Sequence, residues 1–282
     1  VNKNIETFLS CDAEYEEASA VLFGVPFDGT TSFRPGARFG PPAIRGESFG
    51  IETYSPYSDR DLTDIKVFDG GDLELPFGNP ARVLQLTEEY TAQLLADGKL
   101  PVMLGGEHLV TLGAVRAVQK AYPALHVLHF DAHTDLRADY LGETLSHATV
   151  MRQVWQLIGD NHLHQFGIRS GERDEFAFAR THTDLHPFDL SGFASVLPKL
   201  AGVPVYVSLD LDVLDPSIFC GTGTPEAGGV SFAELLRAVL QLHKLQVVGC
   251  DINELSPHYD QSGASTAVAC KLTREILLQI VK

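Results

Sequence analysis

The chain has 282 residues, is 44% hydrophobic and carries a formal net charge of −16. That composition supports a globular core and works against nucleic acid or an anionic membrane as partner. It suits a cationic substrate through steering, although solubility alone accounts for acidity of this size in many proteins.

No run approaches the ~18 consecutive apolar residues of a membrane helix. Val1-Asn2-Lys3-Asn4-Ile5-Glu6 lacks the basic-then-apolar pattern of a secretory leader. Short apolar runs alternate with amphipathic segments, the signature of an α/β chain. In chain order the pattern predicts a strand over 20–25, a loop over 27–40 shaped by Pro35, Gly36 and Pro41-Pro42, a strand over 65–68 and a helix over 80–97. There follow a strand over 101–104, a helix over 109–121, a strand over 125–130, a helix over 147–157 and a strand over 163–168. A strand over 203–209, a helix over 232–243, a strand over 245–250 and a helix over 264–281 complete the reading. Several strands are continuously apolar, as parallel strands buried on both faces are. No linker or repeat divides the chain, which is read as one domain over 1–282. Cys11, Cys220, Cys250 and Cys270 form no close pair and no zinc spacing, which fits free thiols in a reducing cytoplasm.

The chemistry sits just past the predicted strands. Asp131-Ala132-His133-Thr134-Asp135 follows the strand ending at Phe130, and Asp210-Leu211-Asp212 follows the one ending at Leu209. His108 comes after Gly105-Gly106, and Glu254 follows the last strand. In open α/β sheets the carboxyl edge is where sites are built. In extended chain, residues at alternate positions face one way, so Asp131, His133 and Asp135 can converge, as can Asp210 and Asp212. A helix-capping role accounts for any one of these residues singly, but caps need not recur at alternate positions.

His108, Asp131, His133, Asp135, Asp210 and Asp212 are four carboxylates and two imidazoles. Four negative charges balance two divalent ions, and mostly hard oxygen ligands suit manganese, whereas zinc takes fewer carboxylates. Two such ions sharing a water would lower its pKa toward neutrality and favour hydrolysis. Basic residues near the site are sparse, Arg137 being the main one, which argues against a phosphate ester. Glu254 offers a carboxylate to a planar cation with paired N–H donors. His147 could exchange protons with a departing amine. His126, His129, His162, His164, His182, His186, His243 and His258 receive no role.

With these residues in view, the chain resembles the ureohydrolases (arginase and agmatinase), and most of all the bacterial agmatinases. The resemblance rests on Gly105-Gly106-Glu107-His108, Asp131-Ala132-His133-Thr134-Asp135 and Ser208-Leu209-Asp210-Leu211-Asp212-Val213-Leu214-Asp215-Pro216. Gly221-Thr222-Gly223-Thr224-Pro225-Glu226, Gly24-Val25-Pro26-Phe27-Asp28 and Arg34-Pro35-Gly36-Ala37-Arg38 also match. It implies a three-layer arginase-like fold with a mainly parallel sheet, two Mn2+ per chain and a trimer or hexamer. It further implies that His108 and Asp135 serve one ion, His133 and Asp212 the other, and that Asp131 and Asp210 bridge. Glu254 would orient the guanidinium, Asp135 would relay a proton, and His147 would exchange it with water. Two residues depart from the family pattern. Glu107 stands where many relatives have aspartate, with little effect expected, and Cys220 stands where proline often precedes the Gly-Thr-Gly-Thr loop.

The expected reaction is hydrolysis of agmatine to urea and putrescine. Asp139 and Glu143, in the segment 137–143, would favour a distal ammonium, whereas Arg137 would greet a carboxylate. Guanidinobutyrate, guanidinopropionate and arginine therefore stand as alternatives. A single-zinc amide deacetylase and a non-enzymatic relative are the competing classes.

Overall fold

The computed structural model describes residues 6–282, so the leader reading at Val1–Ile5 lies outside the described residues. Ten strands and eight α-helices occur among them. The strands are β1 (Ala20–Val25), β2 (Tyr54–Ser55), β3 (Arg60–Asp61), β4 (Val67–Asp72), β5 (Leu100–Gly105), β6 (His126–Phe130), β7 (Leu163–Ile168), β8 (Asp184–Pro187), β9 (Pro204–Asp210) and β10 (Gln246–Asn253). The helices are α1 (Gly40–Glu47), α2 (Pro80–Ala96), α3 (Thr111–Ala121), α4 (Val150–Ile158), α5 (Arg173–His182), α6 (Phe193–Val196), α7 (Phe232–Val239) and α8 (Ala264–Ile280). None of these helices is long and apolar enough to cross a membrane.

Eight strands form one sheet in the order β4-β1-β5-β10-β9-β6-β7-β8, and every pairing in it is parallel. β2 and β3 form a separate antiparallel pair. Alternate side chains enter two cores. Leu22, Leu104, Phe130 and Leu209 point to one face with α8 residues such as Leu277; Phe23, Met103, Val127 and Tyr206 point to the other with Val115 and Val154. Helices thus cover both faces, the three-layer arrangement expected, and the continuous burial of β1 and β7 follows from it.

The strands at 20–25 and 163–168 stand where the sequence pattern puts them. The final strand runs on to Asn253, so Glu254 follows it directly. Of the elements outside the apolar pattern, three have a clear local cause. β8 is a four-residue edge strand, Asp-Leu-His-Pro, too short and polar to signal. α1 contains Pro41-Pro42, read from sequence as fixing the loop over 27–40. They occupy the first helical turn, where a missing N–H costs nothing. α5 carries few apolar residues and is started by a Glu172 N–H donating to Glu175 Oε2 at 2.7 Å.

This topology brings distant segments side by side. β5, β10, β9 and β6 are adjacent in the sheet, so the turns bearing His108, Glu254, Asp210–Asp212 and Asp131–Asp135 leave one edge next to one another.

Candidate active site

Each turn has its own local cause. At the end of β5, a Cβ on Gly106 would collide with the Phe27 carbonyl, and one on Gly105 with the Asn253 amide. Only glycine lets the chain turn there and present His108. After β6, alternation alone would spread residues i and i+4 over ~13 Å, too far for one site. The chain instead bends, and Asp135 takes a left-handed φ of 53°, which folds its carboxylate back. Asp210 ends β9 and its Oδ1 accepts the Asp212 N–H at 2.8 Å, so a capping bond and a site position coincide in one side chain. Glu254 is also left-handed, at φ 68°. Strained backbone of this kind clusters at functional sites.

The six candidate ligands meet. His108 Nδ1 lies 3.0 Å from Asp131 Oδ2, 3.1 Å from Asp135 Oδ2 and 3.3 Å from Asp210 Oδ2. His133 Nδ1 lies 3.1 Å from Asp212 Oδ2 and 3.4 Å from Asp131 Oδ1. Donor atoms of His108, Asp131 and Asp135 group within 4.8 Å of one another, as do those of Asp131, His133 and Asp212. Asp131 belongs to both groups.

His129, left without a role by the sequence reading, belongs to the first group. Its hydrogen bonds make it an orienting residue. Gln165 Nε2 donates to the Thr134 carbonyl at 2.9 Å, which fixes the amide. The same nitrogen stands 3.1 Å from His129 Nδ1, so Nδ1 accepts and Nε2–H donates to Asp131 Oδ2 at 2.8 Å. The signal was available: His129 is one alternate step before Asp131, on the strand that leads into it. Arg169 was also missed. At the end of β7 its guanidinium donates to the carbonyls of Asp212, Val213 and Glu226, pinning the turn that carries Asp212.

A second chain of bonds sets the tautomer of His108. Ser208 Oγ donates to Asp251 Oδ1 at 2.7 Å, so it accepts from His108 Nε2–H at 2.9 Å. Tyr206 and Asn253 also donate to Asp251. Nδ1 then carries the lone pair, is buried beside three carboxylates and makes no hydrogen bond. Asp212 Oδ2 is likewise buried and unpartnered. Acceptor atoms facing one another at these distances need positive charge between them.

The titration of these groups carries the same message. Burial opposes charge on His108, yet Asp131 and Asp135 raise its pKa well above the usual imidazole value; at His133, Asp212 and Asp131 do the same. Asp210 and Glu254 are pushed well above the carboxylate range, first by burial and then by neighbouring carboxylates. Asp135 is raised by burial and by Asp131. Asp131 alone is driven well below, because surrounding imidazoles, His129 foremost, outweigh its burial. A site so rich in carboxylate takes up cations, and its oxygen-dominated donor set fits hard divalent ones.

Comparison with known proteins identifies the family. The family model for the arginase family matches residues 18–279. An agmatinase from Bacillus subtilis (strain 168) is 50% identical over 98% of this chain and 97% of its own length. A guanidinobutyrase from Pseudomonas aeruginosa is 33% identical over 94% of this chain and 87% of its own. The crystal structure of the agmatine ureohydrolase of Thermoplasma volcanium superposes with a TM-score of 0.89 at 33% identity, covering 99% of this chain and 95% of that one. The chain belongs to the arginase family.

The arginase-family cleft has a volume of about 280 Å³. Asp210, Asp212 and Glu254 line it together with Ser32, His147, Arg137, Glu172 and Glu175. Glu254 Oε1 accepts the His108 N–H at 2.8 Å, which fixes the carboxylate beside the His–Asp cluster. His147 Nε2 lies 3.2 Å from Ser32 Oγ, and burial holds its pKa below the usual value. Asp139 and Glu143 do not line the cleft. Asp139 accepts the Gly142 N–H in a turn, and Glu143 pairs with Tyr140 through the backbone. The acidic side chains that do line this part of the cleft are Glu172 and Glu175, at the start of α5, the helix the sequence reading lacked. Glu226 contributes its backbone carbonyl to Arg169, a structural role. Cys220 is exposed, and the loop after it is held where Gly221 N–H donates to Ser265 Oγ at 2.9 Å.

Proposed function

We propose that this arginase-family chain is a binuclear manganese hydrolase that converts agmatine into urea and putrescine. The observation that carries the substrate choice is the state of Arg137, the one lysine or arginine lining the cleft among the described residues. Its Nη1 is 3.1 Å from Glu172 Oε1, its Nε is 3.6 Å from Glu175 Oε2, and its guanidinium lies 4.6 Å from the Tyr140 ring centroid. An arginine so engaged is a poor receptor for a substrate carboxylate. Apart from the histidines, the rest of the lining is acidic or uncharged and suits a molecule cationic at both ends. This favours agmatine over guanidinobutyrate, guanidinopropionate and arginine.

His108, Asp131, His133, Asp135, Asp210 and Asp212 would hold the metal pair. When bound, the ions supply a water of lowered pKa and a charge that polarises the substrate. Glu254 receives the guanidinium N–H donors on the oxygen not taken by His108 and keeps the planar carbon in one orientation. Asp135 accepts the proton of the attacking water and delivers it to the leaving nitrogen. His147, nearer the mouth, passes protons between the cleft and solvent. A cytoplasmic setting is supported by four free cysteines, Cys11, Cys250 and Cys270 of them buried. The trimer or hexamer implied by the sequence resemblance would show as a three- or sixfold mass by light scattering.

The deciding experiment is urea release by manganese-loaded protein from agmatine, arginine, guanidinobutyrate, guanidinopropionate and guanidine. Agmatine is expected to have the highest kcat/KM. Arginine or guanidinobutyrate ahead of it overturns the substrate, and one metal per chain at full activity overturns the binuclear reading.

A further inference from the structure

The loop between β1 and α1 contains an arrangement that the reaction as described does not use. Glu107, next to His108, is fully buried, and its side chain turns away from the cluster toward this loop. Its Oε2 accepts the Thr30 N–H at 2.9 Å and the Thr31 hydroxyl at 3.1 Å; its Oε1 accepts the Thr30 hydroxyl at 2.6 Å. Thr30 Oγ1 in turn accepts the His147 N–H at 3.1 Å. Two residues on, Ser32 Oγ reaches His147 Nε2 at 3.2 Å. The loop is closed independently by Asp28, which accepts the Gly36 N–H at 2.8 Å and pairs with Arg38.

His147 is therefore gripped at both backbone and ring by one three-residue stretch, and that stretch is fastened to the turn bearing His108. We infer that residues 30–32, anchored by Glu107, form a strap in which Ser32 positions the His147 ring for proton exchange. This rests on the role proposed for His147. Glutamate rather than aspartate at position 107 acquires a purpose, since its extra methylene carries the carboxylate to Thr30. The plainer alternative is that Glu107 is a satisfied buried acid and Ser32 a surface hydroxyl with no influence on turnover.

A double-mutant cycle separates the two. Loss of one orienting hydrogen bond is worth about tenfold. Ser32→Ala is expected to lower kcat for agmatine about tenfold with KM changed less than about twofold, and Ser32→Thr to restore most of it. In a His147→Asn background, Ser32→Ala is expected to change kcat by less than about twofold. An equal loss in both backgrounds, or wild-type turnover in Ser32→Ala, overturns the positioning role.

The anchor is read without turnover. Glu107→Gln keeps the shape but offers one acceptor oxygen and sets an NH2 against the threonine donors. Hydrogen exchange at the Thr30 amide is expected to quicken at least about tenfold, and unchanged exchange overturns the strap. Should wild-type protein release no urea from any compound of the panel, the proposed function falls while the exchange result still decides the strap.

Discussion

The two ends of β6 and β7 both gather histidines, with opposite outcomes. At the carboxyl end His108, His129 and His133 meet Asp131, Asp135, Asp210 and Asp212. At the amino end His126 Nδ1 lies 3.0 Å from His164 Nε2, and the His126 and His162 rings are 4.3 Å apart. The carboxylate that pairs with this group is Asp184, and it is shared by His164, His186 and Lys199. Burial, followed by His162 and His164, pushes His126 down to about 4, whereas carboxylates raise His108 and His133 despite burial. Imidazole density therefore does not make a cation site. The ratio of carboxylate to imidazole does, because it decides whether the buried cluster needs positive charge or repels it.

The largest effect expected from this contrast comes from Asp210→Asn. The amide oxygen still accepts the Asp212 N–H, so the fold persists, but a ligand charge is lost. Urea release is expected to fall at least ~1,000-fold with a matching loss of bound manganese by elemental analysis. The next is His129→Phe, which keeps the ring and removes the hydrogen bond to Asp131. Manganese affinity by calorimetry is expected to weaken ~10–100-fold, while His164→Phe at the opposite end leaves it unchanged.

Metal addition sharpens the contrast further. Manganese at about 100 times its dissociation constant is expected to stabilise the protein by ~2.7 kcal/mol. Denaturant melts should show this gain in wild type and in His126→Gln, with a smaller gain in Asp210→Asn. The smallest effect is on pH. His126 has a folded value near 4 against 6.5 for the free imidazole. The unfolded chain therefore binds the extra proton between those values, and stability is complete above 6.5 and declines as pH falls toward 4. Unfolding midpoints at pH 7.5, 6 and 5 should fall less steeply in His126→Gln. An identical slope would remove His126 from the account.

The site was legible to the extent that its signals were local. Asp131, His133, Asp135, Asp210 and Asp212 stand at alternate positions beyond apolar runs, and parallel topology brings such turns to one edge. Alternation alone nonetheless does not place Asp135, whose carboxylate is brought back by a left-handed turn. His129 was visible to the same periodicity taken one step upstream. Glu172 and Glu175 were not visible, because α5 buries little apolar surface and the residues that pair with Arg137 are brought by tertiary packing. For the fold, buried strands announced themselves by unbroken β-branched and apolar runs. The edge strand β8 and the proline-led α1 did not, since neither depends on such a run.

Asp135 and Glu254 hold their carboxylates in a backbone region that costs an ordinary residue roughly 1–2 kcal/mol and costs glycine almost nothing. Glycine at either position would relieve that cost and delete the functional group. Selection for heat resistance and selection for catalysis thus pull in contrary directions at two points of the chain, and a library screened on melting temperature alone would drift toward stable, inert variants there.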